Sequence, residues 1–424
     1  MVQSGQHQCQ WEKSKVGVFA GPDISESGLV LALDGANYKS FKGEATTNEI
    51  VAVTWNGDGS NQASFVKESV LISDENLKYK GYETYLWSPG TSLNCYLHGG
   101  DVSSSRTSTV WTFSCYIKRE DGGPITSLNV YMYYPSSDGS GNGTIQNVGD
   151  GWYRVSRTRT GTDSYISLAG FTGFASGYKY YLSGAQLEKK SYPTTVVATN
   201  TTRGTTVVAG GGWADLSGNV NHGELVNGVR ENSDNLGSLL FDGSDDFINL
   251  GANARLQSIG SNATIECWFK STDVGSSRYG ILVGWGDGNS YYSNFGIGNW
   301  GSFSSSESIY LGYNSDVQCY VNETSSTYHD GNWHHAVVTI GSNNHKIFVD
   351  GVQKSLVFYR SNSYSVSNVF GYSAGTTINI GSRPYGGGSG YFQGHIPTVK
   401  IYNRALTATE IQQNFNANRS RFGI

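Results

Sequence analysis

HDGNWHHAVVTIGSNNHKIFVDGV, residues 329–352, is the stretch on which the fold turns. From Trp333 to Ile340 the chain alternates, with Trp333, His335, Val337 and Thr339 on one face and His334, Ala336, Val338 and Ile340 on the other. Ala336, Val337, Val338 and Ile340 make both faces apolar, which suits a central strand of a sandwich. The polar connection 341–344 leads to a second short strand at 345–349, and Asp350-Gly351 supplies the positive-φ turn that opens a further hairpin. Two neighbouring strands with a tight return are the nucleus of an antiparallel sheet. His334 and His335 lie inside this pattern and read as partly buried structural histidines.

The composition around this nucleus agrees with it. A chain of 424 residues exceeds one ordinary core, so two domains are expected and three are possible. Gly (56 residues), Tyr (28) and a charged fraction of only 15% favour many short strands joined by turns over helices. The net charge of -5 gives no basic footprint, so nucleic acid is excluded as an expected partner. No run of apolar residues is long enough for membrane insertion, and the first residues lack an apolar signal core, so classical secretion is not expected. The five cysteines (Cys9, Cys95, Cys115, Cys267, Cys319) form neither a zinc spacing nor an evident disulfide framework. Cys115 and Cys267 sit in alternating strands, where buried free thiols are expected.

Along the chain, residues 1–27 are polar and aperiodic and read as an arm ordered by a partner. GLVLALD (28–34) is a short apolar strand. Residues 49–202 read as a block of eight strands with turn signals between them, a jelly-roll pattern. A second strand series runs from Trp213 to the end. One helix is expected, over 408–416, where Thr407 and Glu410 form a capping box and Ile411 and Phe415 share a face.

From Trp213 onward the chain resembles laminin-G-like, concanavalin A-type jelly-roll domains. The pieces that carry the likeness are WADLSGNVNHGELVNG (213–228), LLFDGSDDFINLG (239–251), ATIECWFK (263–270), GNWHHAVVTI (331–340), KIFVDG (346–351) and GHIPTVKIYNRALTATEIQQNFNA (394–417). The ending NRALTATEIQQNFNANRSRFGI is similar to the version of this domain found in structural proteins of tailed, particularly marine, bacteriophages. The family's first strand is present as GLVLALDGAN (28–37), but about 175 residues before its usual place. The resemblance therefore implies a split laminin-G-like sandwich, residues 28–45 and 205–424, with residues 46–204 inserted as a second domain. WTFSCYIKRE, GDGWYRVS and LSGAQLEKKSYPTT in the insert resemble carbohydrate-binding-module-like jelly rolls of phage tail and virion proteins.

Glycosidases share the concanavalin-type scaffold, so a catalytic carboxylate pair was sought. Glu266 is the one tempting acid, but Trp268 and Lys270 follow it on its face and no second acid joins them, so no catalytic residue is expected. Calcium is the candidate cofactor, at Asp245, Asp246 and Asp215, with turn chemistry as the plainer reading of the same residues. Aromatic rings in loops can stack on the flat C–H face of a sugar. Trp285, Tyr291, Tyr292 and Trp300 lie in a Gly/Asn-rich segment suited to a binding loop, and Trp87, Tyr131 and Tyr133 are the candidates in the insert. Core packing competes with binding at each, and Trp152, Trp268 and Trp333 are assigned to cores.

These readings converge on an all-β protein of two antiparallel jelly-roll sandwiches, one nested in the other, with one short C-terminal helix. The expected role is a non-enzymatic structural protein on the exterior of a virion, as fibre, knob or capsid decoration. Its sandwiches would bind host surface polysaccharide, its arm (1–27) would dock to other virion proteins, and many copies or a homo-oligomer would supply avidity. The alternatives are a capsid or tail cement without glycan binding, and a polysaccharide depolymerase.

Overall fold

A computed structural model of the chain describes residues 24–37, 39–44, 46–47, 55–56, 69–88, 94–97, 110–133, 140–160, 168–194, 196, 202–232, 237–271, 279–286, 292–298, 308–313, 316–321, 328–341, 344–358, 370, 376–384 and 390–424. The fold is all-β, and its two large sandwiches are built from antiparallel strand pairs. The chain divides into two compact units: residues 1–41 with 214–424, and residues 42–213. The expected docking arm falls almost wholly on residues 1–23, outside the described residues.

Two eight-stranded sheets build the first unit. In the first sheet the strand Trp333–Ile340 lies between Ala263–Lys270 and Lys346–Val349, and all eight of its residues are buried. A strand buried on both faces needs apolar or partnered side chains on both, which is what the double alternation of WHHAVVTI provides. Gln393–Tyr402 pairs Ala263–Lys270 on one side. On its other side it pairs Ser238–Asp242 near its start and Leu29–Asp34 near its end. The early apolar ribbon is thus a member of a sheet whose other strands come some two hundred positions later. The second sheet runs Glu224–Val226, Phe247–Asn249, Thr377–Ile380, Tyr279–Gly286, Tyr292–Gly298, Ser308–Tyr313, Asp316–Val321 and Leu356–Phe358.

The C-terminal helix, Ala408–Asn418, starts where the capping box puts it: the Thr407 side chain accepts from Glu410 N, and Glu410 accepts from Thr407 N at 2.9 Å. Its Ile411 packs with Val337, Phe348, Tyr402 and Leu406 on the first sheet's outer face, and its Phe415 with Trp268, Trp333 and Phe422. The helix runs two residues beyond the expected 416. A single-turn helix at Ala254–Gln257, capped by the Asn253 side chain, was not foreseen. Four residues are too short for a 3.6-residue periodicity to show in sequence. The segment before the first strand is tied to the C-terminal helix, since Ser25 N donates to Asn414 Oδ1 at 2.8 Å and Arg404 Nε to Ser27 O at 2.8 Å.

The second unit has a six-stranded sheet, in the order Thr144–Gly149, Trp152–Thr160, Val110–Arg119, Tyr180–Glu188, Thr84–Trp87 and Ser69–Leu71, and a five-stranded sheet containing Asn129–Tyr133 and Leu168–Thr172. Trp87, Trp111, Phe113, Val130, Met132 and Phe171 fill its core. Its ends are closed side by side: Phe41–Gly43 pairs Gly212–Trp213, and Thr46–Thr47 pairs Thr202–Arg203. Beneath them the fully buried Glu188 accepts from Thr46 Oγ1 (2.8 Å), Thr194 N (2.9 Å) and Thr194 Oγ1 (2.7 Å), while Arg203 Nε donates to Glu44 O at 2.6 Å.

Candidate functional site

Pairing register sorts the second sheet of the first unit into rows, because side chains alternate between faces along each strand. One row, Ile248, Ile380, Val283, Phe295, Leu311 and Cys319, crosses six strands and is wholly buried and apolar. This is the core face. The adjoining row, on the opposite face, reads Asn249, Asn379, Gly284, Asn294 and Gly312. Three amides and two glycines make up this row, where its neighbour row has nothing polar except a thiol.

Asn294 sits between the two glycines of this row and is 0% exposed. Neither its Oδ1 nor its Nδ2 finds a hydrogen-bond partner among the described residues. A buried primary amide left with two donors and an acceptor unmet costs free energy, so such a group marks a site for a polar guest. Its strand neighbours on both sides, Gly284 and Gly312, have no side chain, and Gly296 is paired with Tyr310 one step along. Over Gly284 runs the segment Ser382–Arg383: a Cβ there would meet Ser382 O at 2.5 Å and Arg383 Cα at 2.8 Å. Asn379 Nδ2 donates to Ser382 Oγ at 3.1 Å and holds this strap to the row.

The aromatic candidates are distributed differently. Trp285 is 2% exposed and packs edge-on to Phe370, on the core side with Val283 and paired with Ser293. Trp87 is 0% exposed and packs against Phe174 and Tyr180. Neither ring can offer a face to a sugar, which corrects the expectation for both: each sits in its strand at core parity. Tyr131 is half-buried in Asn129–Tyr133, a strand that also includes Tyr133. Tyr292 begins the strand Tyr292–Gly298, while Tyr291 and Trp300 lie outside the described residues. Trp152, Trp268 and Trp333 are buried.

Asp245 and Asp246 come together with Asp242, close enough for one oxygen of each to face a common point. Burial, with the charges of Asp242 and Asp245 beside it, raises the Asp246 carboxyl above its ordinary value. Both Asp246 oxygens are nonetheless engaged by backbone, accepting from Gly228 N (2.6 Å) and Asp242 N (3.0 Å), and Asp242 Oδ1 accepts from Ser244 N at 2.7 Å. This is turn chemistry. Asp215 is not part of the group: it accepts from the amides of Ala32, Ser217 and Asn221.

Glu266 is fully buried under the C-terminal helix, 2.5 Å from Lys400 Nζ and 3.3 Å from His335 Nε2. Burial works to raise its pKa, but Lys400 and His335 outweigh it and hold the carboxyl below the ordinary range. His335 is 0% exposed and His334 is 8% exposed, both held as structural side chains. The thiols of Cys115 and Cys267 are pushed up by burial, and that of Cys319 to about 12, so none is a nucleophile.

The polar row was missed in sequence because glycine and asparagine depress strand propensity: residues 279–286 read as a strand, but 287–298 read as part of a Gly/Asn-rich loop. The signal was there in its spacing: Gly284-Trp285-Gly286 and Asn294-Phe295-Gly296-Ile297-Gly298 place small or polar residues at every second position.

A family model described as the concanavalin A-like lectin/glucanases superfamily matches residues 242–412. No curated protein matches the chain. Among solved structures, domain 4 of an extracellular arabinanase from Geobacillus stearothermophilus, in complex with arabinotriose, is 13% identical with a TM-score of 0.36, over 48% of this chain and 92% of that one. A sialidase carbohydrate-binding module from Ruminococcus gnavus is 11% identical with a TM-score of 0.31, over 42% of this chain and 96% of that one. Botulinum neurotoxin type C, whose structure concerns ganglioside interaction in cell entry, is 12% identical with a TM-score of 0.33, and this chain spans 48% of its length. Likenesses at this level carry no argument about function. Residues 242–412 are thus similar to the concanavalin A-like jelly-roll family, and the two eight-stranded sheets are an all-β fold of that kind.

Proposed function

We propose that this protein binds glycan without catalysis, through the polar row of its second sheet, and is displayed on the exterior of a viral particle. The observation that carries the sugar-binding half is the buried, unpartnered Asn294 amide between Gly284 and Gly312. A sugar presents hydroxyls that donate and accept in one plane, and a primary amide answers with both functions. Glycines on either side let a ring approach the backbone closely. In this reading a sugar reaches Asn294 by displacing the Ser382–Arg383 strap. Catalysis is left out because Glu266, the one acid singled out in the sequence, is sealed under a helix and bound to Lys400.

The virion half rests on the likeness of residues 403–424 to tailed-phage structural proteins. It brings with it docking of residues 1–27 to other virion proteins and repetition of copies for avidity. The domain assignment in the same reading is a split laminin-G-like sandwich (28–45 and 205–424) around a carbohydrate-binding-module-like insert (46–204).

A glycan array probed with the full chain tests the sugar half. Selective signal that disappears in Asn294→Leu supports it. Absence of selective signal from folded protein overturns it and leaves the structural cement reading, whereas release of reducing ends from host polysaccharide would make the protein a depolymerase.

A further inference from the structure

Glu266, Lys400 and Asn414 meet in the apolar layer between the first sheet and the C-terminal helix, with His335 Nε2 3.3 Å from Glu266 Oε1. Glu266 and Lys400 stand opposite each other on paired strands. Asn414 comes down onto them from the helix. Lys400 Nζ lies 2.5 Å from Glu266 Oε1, and Asn414 Nδ2 donates to Glu266 Oε2 at 2.6 Å. One carboxylate therefore touches an amine with one oxygen and an amide with the other. Glu266 and Asn414 are 0% exposed and Lys400 is 6% exposed. Trp268, Val337, Tyr402, Ile411 and Phe415, all buried, belong to the two apolar clusters around them.

The orientation of the amide is fixed rather than free. Its Oδ1 accepts from Ser25 N at 2.8 Å, so Nδ2 must be the atom facing the carboxylate, where it also reaches Tyr402 Oη at 2.9 Å. A resting structural ion pair needs an amine and a carboxylate. It does not need an amide carbonyl polarised by a backbone N–H on the far side.

We propose that Lys400 and Asn414 become joined by an intramolecular isopeptide bond, with Glu266 carrying the protons. The Lys400 ammonium first passes a proton to Glu266 along their contact, giving a neutral amine and a carboxylic acid. The exchange runs uphill, because Lys400 and His335 hold the Glu266 carboxyl below its ordinary range, and the neutral pair need form only transiently. The Nζ lone pair then attacks Asn414 Cγ, and the charge that develops on Oδ1 is met by the Ser25 N–H. One Nζ proton moves through Glu266 to Nδ2, the Cγ–Nδ2 bond breaks and ammonia leaves. The released ammonia takes the remaining proton from Glu266, which returns to its carboxylate. The sum is an ammonium side chain and a carboxamide going to a secondary amide and an ammonium ion, with no oxidant, reductant or co-reactant. An amide is a poor electrophile; with Nζ and Nδ2 held on the two oxygens of one carboxylate, the attack requires Nζ to close on Cγ, and that proximity once reached is worth effective concentrations on the order of 10⁵–10⁸ M.

The product would staple the helix to the sheet beneath it, so that the end of the chain could not peel away. The inference is independent of the glycan reading, since it uses the other sheet.

Intact mass and a tryptic map of the purified full chain test it. We expect the protein to be lighter than its sequence by one ammonia, and a joined pair of peptides containing Lys400 and Asn414. Lys400→Arg keeps the charge beside Glu266 but offers no amine of matching reach, and Glu266→Gln removes the proton carrier. Both are expected to show the full sequence mass, and circular dichroism of Lys400→Arg establishes that it folds. A wild-type mass equal to the sequence mass after prolonged incubation overturns the proposal. So does an ammonia deficit that persists in Lys400→Arg, because that deficit would come from a succinimide at an asparagine.

Discussion

The Asp215 carboxylate accepts the Ala32 amide proton at 2.9 Å, across 183 positions of sequence. Ala32 lies in Leu29–Asp34, whose far edge faces no strand in the sheet order. The DLSGN loop takes the place of one. Leu216 N donates to Ala32 O at 2.8 Å, Ser217 Oγ and Asn221 Nδ2 donate to Val30 O, and Asn219 Nδ2 donates to Leu29 O. An exposed strand edge invites pairing with other chains, and side chains here cover it instead.

Asp215→Ala should therefore act on stability and solubility together. It strips the acceptor from three buried or half-buried backbone amides, and we expect a loss of about 3 kcal/mol. Urea unfolding measures that loss, and light scattering of the variant should report association that the wild type does not show.

His334 gives a pH-dependent contribution whose sign can be worked out. Its Nδ1 is 3.0 Å from Asp350 Oδ2 and its Nε2 3.3 Å from Asp330 Oδ1. Burial pulls its pKa down, but these two carboxylates outweigh burial and raise it above the ordinary 6.5. Its contribution is then complete below about 6.5 and is lost as pH rises through the higher folded value. Unfolding midpoints of wild type and His334→Gln should differ most in mild acid and converge toward alkaline pH. A gap that widened with rising pH would contradict this.

Glu410 behaves in the opposite sense. The Arg404 side chain hydrogen-bonds it, and with Thr407 it holds the carboxyl down at about 2. The stabilisation is present above the ordinary value of 4.5 and disappears as pH falls through about 2. Because the pair is partly exposed, solvent screens it. Glu410→Gln should cost the helix start about 1 kcal/mol at neutral pH through the weakened cap, and less in strong acid. Proteolysis near the C-terminus is the readout.

Asn294→Leu separates function from stability. Replacing a buried amide without partners by an apolar side chain of similar volume removes a desolvation cost, so the variant should gain about 1–2 kcal/mol. It should lose the glycan signal at the same time. Loss of both binding and stability would mean that the amide is structurally bonded.

The strands were legible where propensity and alternation agreed. WHHAVVTI and ATIECWFK are buried strands because β-branched and aromatic residues fill both parities. The helix start at Ala408 was legible because its cap is a local pattern, three residues long. What sequence hid was chemistry between distant residues. Glu266 shows Lys270 four places on, yet the lysine that meets it is Lys400, 134 positions away on the paired strand. Asn294 looked like loop because the small residues that open a polar row are the ones that weaken a strand's signature. Trp285 and Trp87 looked available because parity decides which face of a strand is buried, and parity follows from register, which the sequence of one strand does not show.

The paired ends of the second unit, sealed over Glu188 and Arg203, have an evolutionary consequence. A segment whose first and last residues already grip each other asks nothing of its surroundings except two adjacent attachment points. Recombination can swap residues 42–213 for another cassette with joined ends, and such an exchange between lineages would appear as a sharp break in homology at Phe41 and Ala214.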